Sequence, residues 1–248
     1  MDSSLIRDVA WIGDGYVEGL SRGIVLVFHG LGITALKSGP EADEYQWARE
    51  GGLVVYPYCG PWSWMNREAR AFVDDLVDAV YTKFGLAADA PLVCVGGSMG
   101  GLSALLYTRY ARRPVDACLA LYPVCDLAYH FRERRDLPRT ILHAFRGYAE
   151  PLDDLLTEHS PLALIEGMPD IPYLIVHGDK DYAVNKAHHS DRLVAALRAA
   201  KRDVTYIEVP GMGHLGPLPP DVLQQTIGFV GARLRRAGEQ CCPSKDSG

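Results

Sequence analysis

Residues 96–100 read Gly-Gly-Ser-Met-Gly and match the G-x-S-x-G pattern, with Ser98 at its centre. A sharp turn between a strand and a helix lifts a serine hydroxyl out of a sheet, and small residues on both sides let the backbone make that turn. An apolar run ends at Val95, and a helical period begins after Ser98. The pattern therefore predicts nucleophilic attack on a carbonyl carbon by this hydroxyl.

A serine nucleophile needs a base within hydrogen-bond reach and a third group that holds the base in the correct tautomer. His214 lies in a glycine-rich loop directly after a predicted strand at 204–209. The preceding predicted strand runs into His-Gly-Asp-Lys-Asp at 177–181, so Asp179 and Asp181 both offer a carboxylate. The chain order of serine, acid and histidine is typical of triads built on α/β sheets. These residues alone leave the acid open between the two aspartates.

A third group of residues is suited to stabilise negative charge on a carbonyl oxygen. The first central strand is predicted to end before His-Gly-Leu-Gly at 29–32, where glycines allow the backbone to approach a ligand closely. We expect the backbone N–H groups of Leu31 and Met99 to form the oxyanion hole. Each donor of this kind contributes roughly 10² to 10³ in rate.

The elements that must position these groups follow from hydrophobic patterning. Short apolar runs alternate with segments of helical period, which predicts an α/β fold with a mostly parallel sheet and helices on both faces. A Gly-Asp-Gly turn at 13–15 predicts a hairpin of strands at 9–12 and 16–20 on the sheet edge, giving eight strands in total. The six central strands are predicted at 24–28, 53–56, 92–95, 117–122, 173–176 and 204–209.

Helices are predicted at about 69–84, ending at Gly85, at 99–111, at 186–200, and in a final segment that includes 223–234. Residues 126–170 separate two consecutive strands by more than a simple crossover needs, which predicts an inserted cap of short helices. We therefore predict one domain over 1–237 and a disordered tail over 238–248. The tail contains Cys241 and Cys242, for which we expect no metal or redox role.

Composition excludes several classes of protein. The 248 residues are 48% hydrophobic and carry 25 Lys and Arg against 31 Asp and Glu, a net charge of −6. Disordered, collagen-like and membrane-spanning chains are excluded, and the acidic balance predicts no binding of nucleic acid or membranes. The six cysteines are too scattered for a disulfide scaffold, and the first residues lack the pattern of a secretory signal, so we expect a cytoplasmic protein.

The motifs together make the chain resemble the α/β-hydrolase superfamily from residue 24 to about residue 234. The Gly-Gly-Ser-Met-Gly-Gly elbow at 96–101, Ser-Pro-Leu at 160–162 and the His-Gly-x-x-Asp motif at 177–181 are similar to the catalytic domain of prolyl oligopeptidase relatives and of dienelactone-hydrolase-like esterases. The resemblance implies Asp181 as the triad acid, Leu31 and Met99 as oxyanion donors, and no metal or organic cofactor.

Two departures bear on the activity that the resemblance implies. The loop at 30–32 reads Gly-Leu-Gly where those peptidases commonly have Gly-Gly-Pro, and only 23 residues precede the first predicted central strand. We therefore expect a carboxylesterase that acts on small acyl or aromatic esters through an acyl-enzyme. The alternatives are an aminopeptidase or dipeptidase with the same triad, and a ligand-binding homologue without turnover. The oligomeric state is left open.

Several further residues have two interpretations. Trp62 and Trp64 share one loop and either wall a substrate pocket or cover the core. The cap arginines either clamp a substrate carboxylate or form a solvated face balanced by nearby acids, which we favour. His29 and His177 are expected to brace loops. The arginines concerned are Arg132, Arg134, Arg135, Arg139 and Arg146.

Overall fold

A seven-stranded sheet lies at the centre of the fold, in the order β1-β3-β2-β4-β5-β6-β7. The computed structural model describes residues 1–240, with side chains up to residue 235. Neighbouring strands are parallel except β1, which pairs antiparallel with β3. This confirms the predicted α/β class. The strands are β1 Ala10–Ile12, β2 Gly23–Phe28, β3 Gly52–Pro57, β4 Leu92–Gly97, β5 Ala117–Leu121, β6 Tyr173–Gly178 and β7 Val204–Val209.

The central strands are buried on both faces because helices cover both sides of the sheet. Along β2, Leu26 belongs to one hydrophobic cluster and its neighbour Val25 to the other. Alternate residues of a strand point to opposite faces, so a strand covered on both sides reads as continuously apolar. The helices are α1 Ile6–Val9, α2 Ala42–Arg49, α3 Arg67–Phe84, α4 Met99–Tyr110, α5 Leu127–Glu133, α6 Leu137–Ala144, α7 Leu152–Glu158, α8 Ser190–Ala199 and α9 Pro220–Gln240.

The predicted N-terminal hairpin is wrong in its second strand, so the sheet has seven strands rather than eight. Residues 14–16 form a 3₁₀ turn, and β1 pairs with β3 instead of folding back on residues 16–20. The N–H of Gly13 donates to the carbonyl of Val54, which holds the turn against the sheet. Glu18 then pairs with Arg49 at 3.0 Å, so the segment after the turn runs beside α2.

The helix predictions agree with the structure except at one start. Helix α3 ends at Phe84 and is followed by Gly85, whose φ of 60° is left-handed, as expected of a glycine that terminates a helix. Helix α8 begins at Ser190 rather than at residue 186, since residues 186–189 form turns. Helix α9 extends to Gln240, into the start of the predicted tail. Cys241 and Cys242 lie outside the described residues.

The segment between β5 and β6 contains α5, α6, α7 and two 3₁₀ turns, as the sequence predicts for an inserted cap. The cap is anchored to α3 and the loop before it. The amide of Asn66 donates to the carbonyl of Ala144 at 2.8 Å, and Arg70 pairs with Glu158 at 2.7 Å. Across residues 1–240, no helix has both the length and the apolar character that a membrane crossing requires.

Candidate active site

Ser98 lies on the turn between β4 and α4 with φ 58° and ψ −122°, which is a strained conformation for a residue with a side chain. The turn is held tightly against its neighbours. A Cβ at Gly96 would come within 2.2 Å of the Gly100 carbonyl oxygen, and one at Gly100 within 2.2 Å of the Phe28 carbonyl oxygen. Glycine is therefore required at both positions, and the serine is presented at the carboxyl edge of the sheet.

The structure brings Ser98, His214 and Asp181 together in one hydrogen-bonded row. The Nε2 atom of His214 is 3.1 Å from the Oγ of Ser98, and its Nδ1 atom is 2.7 Å from the Oδ2 of Asp181. A carboxylate accepts only, so Nδ1 carries the proton and Nε2 is left as an acceptor for the serine hydroxyl. This arrangement can remove a proton from the hydroxyl as it attacks a carbonyl.

Asp181, rather than Asp179, is the carboxylate beside His214. Its Oδ1 accepts the N–H groups of Ala183 and Val184, both at 2.9 Å. Burial favours the neutral acid, but hydrogen bonds from His177, His214 and Val184 outweigh burial and hold the pKa of Asp181 well below its usual value. Asp179 instead accepts the N–H of Gly211 at 2.6 Å and thereby links the loop after β6 to the loop after β7.

His177 braces the loop that carries Asp181 (the acid loop), as expected, and it also contacts the carboxylate of Asp181. Its Nε2 lies 3.1 Å from the Val184 carbonyl and 3.2 Å from the Oδ2 of Asp181, and its Nδ1 is 2.6 Å from the Oγ of Ser190. Nε2 must donate to the carbonyl, so Nδ1 accepts from the serine. The contact with Asp181 was not predicted, although the four-residue spacing of the His-Gly-x-x-Asp motif is a signal for it.

Tyr122 is a further residue at the site, and its presence there was not predicted from the sequence. Its ring packs edge-on against the imidazole of His214, with ring centroids 4.9 Å apart. Its backbone has φ 37°, and its N–H donates to the carbonyl of Val176 at 2.6 Å. Its place directly after β5 is the one sequence signal, because the carboxyl ends of parallel strands meet at the same edge.

The predicted oxyanion donors lie on the two segments that flank Ser98. Met99 is the first residue of α4, and the first N–H groups of a helix have no partner within it. Leu31 lies on the loop after β2, which is fixed by the N–H of Gly32 donating to the carbonyl of Pro61 at 2.7 Å. His29 braces this loop as expected, since its Nδ1 donates to the carbonyl of Gly30 at 2.9 Å.

The two tryptophans of the 57–65 loop occupy different environments. Trp64 is 1% exposed, and its indole N–H donates to the Oγ1 of Thr140 at 3.1 Å, so it packs in the core against the cap helices α5 and α6. Trp62 is half-buried and donates to the Nδ1 of His143 at 3.0 Å. It lines a cleft of about 380 Å³ together with Tyr58 and other residues of the loop and α3. The core interpretation therefore fits Trp64. For Trp62, a role in a substrate pocket stays a prediction.

A second cleft, of about 520 Å³, opens beside His214. Of the five cap arginines, Arg134 lines this cleft. Arg134 is paired with Asp136 at 2.6 Å, whereas Arg132 approaches Asp153 only to 4.0 Å. The lining residues are Arg134, Lys180, Tyr182, Ala183, Gly211, Gly213 and His214.

His130, Glu133 and His189 form a buried cluster whose residue types are those of metal ligands. The Nδ1 atom of His189 accepts the N–H groups of Cys125 at 3.0 Å and Asp126 at 3.2 Å. Its Nε2 is therefore protonated and donates to Glu133 at 3.1 Å, which leaves no lone pair on His189 for a metal. In this geometry the cluster is a hydrogen-bonded network that joins the cap to the start of α8.

The fold resembles that of known hydrolases. A puromycin-hydrolyzing peptidase of Mycobacterium tuberculosis is 20% identical, with a TM-score of 0.66, over 90% of this chain and 35% of its own. An acylaminoacyl peptidase of Pyrococcus horikoshii is 12% identical, with a TM-score of 0.72, over 92% of this chain and 39% of its own. The chain thus spans less than two fifths of these two peptidases.

A structure of comparable length is also similar. A truncated carbohydrate esterase from gut microbiota is 16% identical, with a TM-score of 0.66, over 91% of this chain and 96% of its own. No match was found among curated protein sequences. Residues 64–230 match the model of the prolyl oligopeptidase family. This segment is more than half of the chain and includes Ser98, Asp181 and His214, and the chain therefore belongs to the prolyl oligopeptidase family.

Proposed function

We propose that the chain is a serine hydrolase that cleaves carboxylic esters of small acyl or aromatic substrates through an acyl-enzyme. The observation that carries the proposal is the row of hydrogen bonds from Ser98 through His214 to Asp181, at 3.1 Å and 2.7 Å. A hydroxyl, an imidazole and a buried carboxylate in this order are the groups that acyl transfer needs. The family membership supports the same class of reaction.

In the first half of the reaction, the Oγ of Ser98 forms a bond to the carbonyl carbon while Nε2 of His214 takes the hydroxyl proton. The N–H groups of Leu31 and Met99 stabilise the negative charge on the carbonyl oxygen. The bond to the leaving oxygen then breaks, and His214 gives its proton to that oxygen. In the second half, Nε2 of His214 takes a proton from water as the water oxygen bonds to the acyl carbon, and it returns the proton to Oγ of Ser98 as the ester bond to Oγ breaks and the carboxylic acid leaves. Throughout, the ionised Asp181 stabilises the imidazolium.

Preference for esters over peptides is supported by the loop at 30–32, which reads Gly-Leu-Gly where peptidases of this family commonly have Gly-Gly-Pro. A carbohydrate esterase and a lipase are also among the structures with a similar fold. A second candidate, an aminopeptidase or dipeptidase, is favoured by the family itself and by the TM-score of 0.72 with the acylaminoacyl peptidase.

The test compares p-nitrophenyl acyl esters with aminoacyl anilides of matched acyl size. We expect higher kcat/KM for the esters, and loss of about 10⁴ to 10⁶ in kcat in Ser98→Ala with folding intact. A fluorophosphonate probe is expected to label Ser98, as read by peptide mass spectrometry. Preference for the anilides would favour the peptidase, and an unlabelled Ser98 with no turnover would favour a ligand-binding homologue.

A further inference from the structure

Two cationic side chains from separate elements converge on the cleft beside His214. Arg134 follows the cap helix α5, and Lys180 directly precedes Asp181 on the acid loop. Their side chains are 40% and 58% exposed, and both line the cleft with Tyr182, whose residue is 88% exposed. An exposed charged side chain does not by itself indicate a binding site. These two side chains, however, line a cleft that the imidazole of His214 also lines.

The position of the cleft indicates which part of a substrate it would hold. This step rests on the proposed function. A general acid must lie within hydrogen-bond reach of the atom that it protonates, and His214 protonates the leaving oxygen. The leaving group therefore lies on the His214 side of Ser98. Because His214 lines the cleft, the alcohol part of an ester is the part that extends into it.

Arg134 and Lys180 line the cleft with positive side chains, although each has a carboxylate nearby. Asp136 accepts from Nε and Nη2 of Arg134 at 3.0 Å and 2.6 Å, so it occupies one edge of the guanidinium and leaves Nη1 for another acceptor. Asp179 is 3.9 Å from the Nζ of Lys180 and is bonded to the N–H of Gly211. Within residues 1–235, where side chains are described, the lining of this cleft contains no carboxylate.

We propose that the alcohol part of the substrate carries a carboxylate, which Arg134 and Lys180 bind. Arg134 is suited to this because its pair with Asp136 already orients the guanidinium, so less freedom is lost on binding. Lys180 adds a second positive charge from the loop that carries Asp181. Tyr182 offers an aromatic surface for an apolar body between the ester and the carboxylate.

The experiment compares two acetate esters that differ only in charge, para-carboxymethylphenyl acetate and para-carbamoylmethylphenyl acetate. The methylene group insulates the phenol oxygen from the charge, so the two leaving groups have similar reactivity. Each kcat/KM is divided by the rate of hydroxide-catalysed hydrolysis of the same ester. We expect the wild-type ratio of acid to amide to be about 5-fold or more at low salt and to fall as ionic strength rises.

Substitution then assigns the preference to these side chains. The double variant Arg134→Gln with Lys180→Gln is expected to bring the ratio close to one while retaining hydrolysis of the amide ester. Arg132→Gln is the matched control, because this cap arginine is 71% exposed and does not line the cleft. It is expected to keep the wild-type ratio.

Two outcomes would overturn the inference and leave the proposed function standing. These are equal rates for both esters in the wild type, and a preference for the acid ester that survives in the double variant. If neither ester is turned over and the fluorophosphonate probe leaves Ser98 unlabelled, the proposed function fails and this inference fails with it.

Discussion

His177 and Asp181 are four residues apart in the chain and contact each other inside the protein, with Nε2 3.2 Å from Oδ2. Their side chains are 0% and 1% exposed. Oδ2 also accepts from His214 at 2.7 Å, so a single oxygen serves two imidazoles. His177 therefore belongs to the support of the proposed catalytic row, and it connects that row to the first residue of α8 through Ser190.

Replacing His177 tests this support. His177→Phe removes the donor to Asp181 and to the Val184 carbonyl, and it leaves the hydroxyl of Ser190 without its acceptor. We expect the free energy of unfolding to fall by about 1–3 kcal/mol, as measured by chemical denaturation. His188→Phe is the control, because His188 is exposed and a phenyl ring can keep its stacking on Tyr129. Equal stability of the two variants would contradict the role assigned to His177.

Gly100 tests the close approach of α4 to the end of β2. In Gly100→Ala the new Cβ would lie 2.2 Å from the Phe28 carbonyl oxygen and 2.9 Å from that of His29, so backbone must move. We expect kcat to fall at least about 10²-fold, because a small displacement of the elbow misplaces the serine and its neighbouring N–H groups. Steady-state kinetics with a p-nitrophenyl ester measures this.

The matched control for that variant is Gly228→Ala in the interior of α9. Apart from its chain neighbours and the backbone of its own helix, no described heavy atom lies within 4 Å of the position of its Cβ. Alanine has a higher helix propensity than glycine, so we expect unchanged kcat and a gain of about 0.5–1 kcal/mol in stability. Full activity in Gly100→Ala would show that the tight contact does not control the elbow.

Glu133 is expected to contribute to the loss of folding stability at acidic pH. Burial favours its neutral form, but hydrogen bonds from His130 and His189 dominate and lower the pKa of Glu133 from 4.5 to about 2. Since the folded-state pKa is below the unfolded value, the stabilisation is complete above about pH 4.5 and is lost as the pH falls towards about 2. Glu133→Gln should therefore be less stable than the wild type at neutral pH, by about 3 kcal/mol, and the difference should shrink in acid.

Urea denaturation at several pH values measures this dependence. Glu18→Gln serves as the control, because Glu18 pairs with Arg49 at the surface and its side chain is 62% exposed. An exposed pair of this kind contributes little, so the Glu18 variant should follow the wild-type curve. A constant stability difference between the Glu133 variant and the wild type at every pH would rule out the ionised carboxylate as the cause.

The two tryptophans should separate packing from substrate contact. Trp64→Ala opens a cavity in a site that is 1% exposed, so we expect a loss of about 3–5 kcal/mol in unfolding free energy. Trp62→Ala, at the edge of its cleft, should cost less stability and change KM for aromatic esters. Thermal unfolding and KM measured on both variants test this. A large loss of stability in the Trp62 variant with unaltered KM would favour packing for both residues.

Features that depend on neighbours along the chain could be predicted from the amino-acid sequence alone. The strand, the Gly-Gly-Ser turn and the helix after it were predictable because hydrophobic period and glycine geometry act over a few residues. The same holds for the C-terminal glycine of α3 and for the alternation that indicates a parallel sheet. The order of Ser98, Asp181 and His214 along the chain could also be matched to a known arrangement.

Residues that are equivalent by local pattern could be told apart only by their surroundings in the folded protein. Asp179 and Asp181 share one turn, but Asp181 faces His214, whereas Asp179 bonds to Gly211. The same is true of the two tryptophans, of Arg134 among the cap arginines, and of the edge of the sheet, where β1 pairs with β3 rather than with its neighbour in sequence. The physical reason is that the hydrogen-bond and packing partners of a side chain or an edge strand are atoms that folding brings from distant parts of the chain.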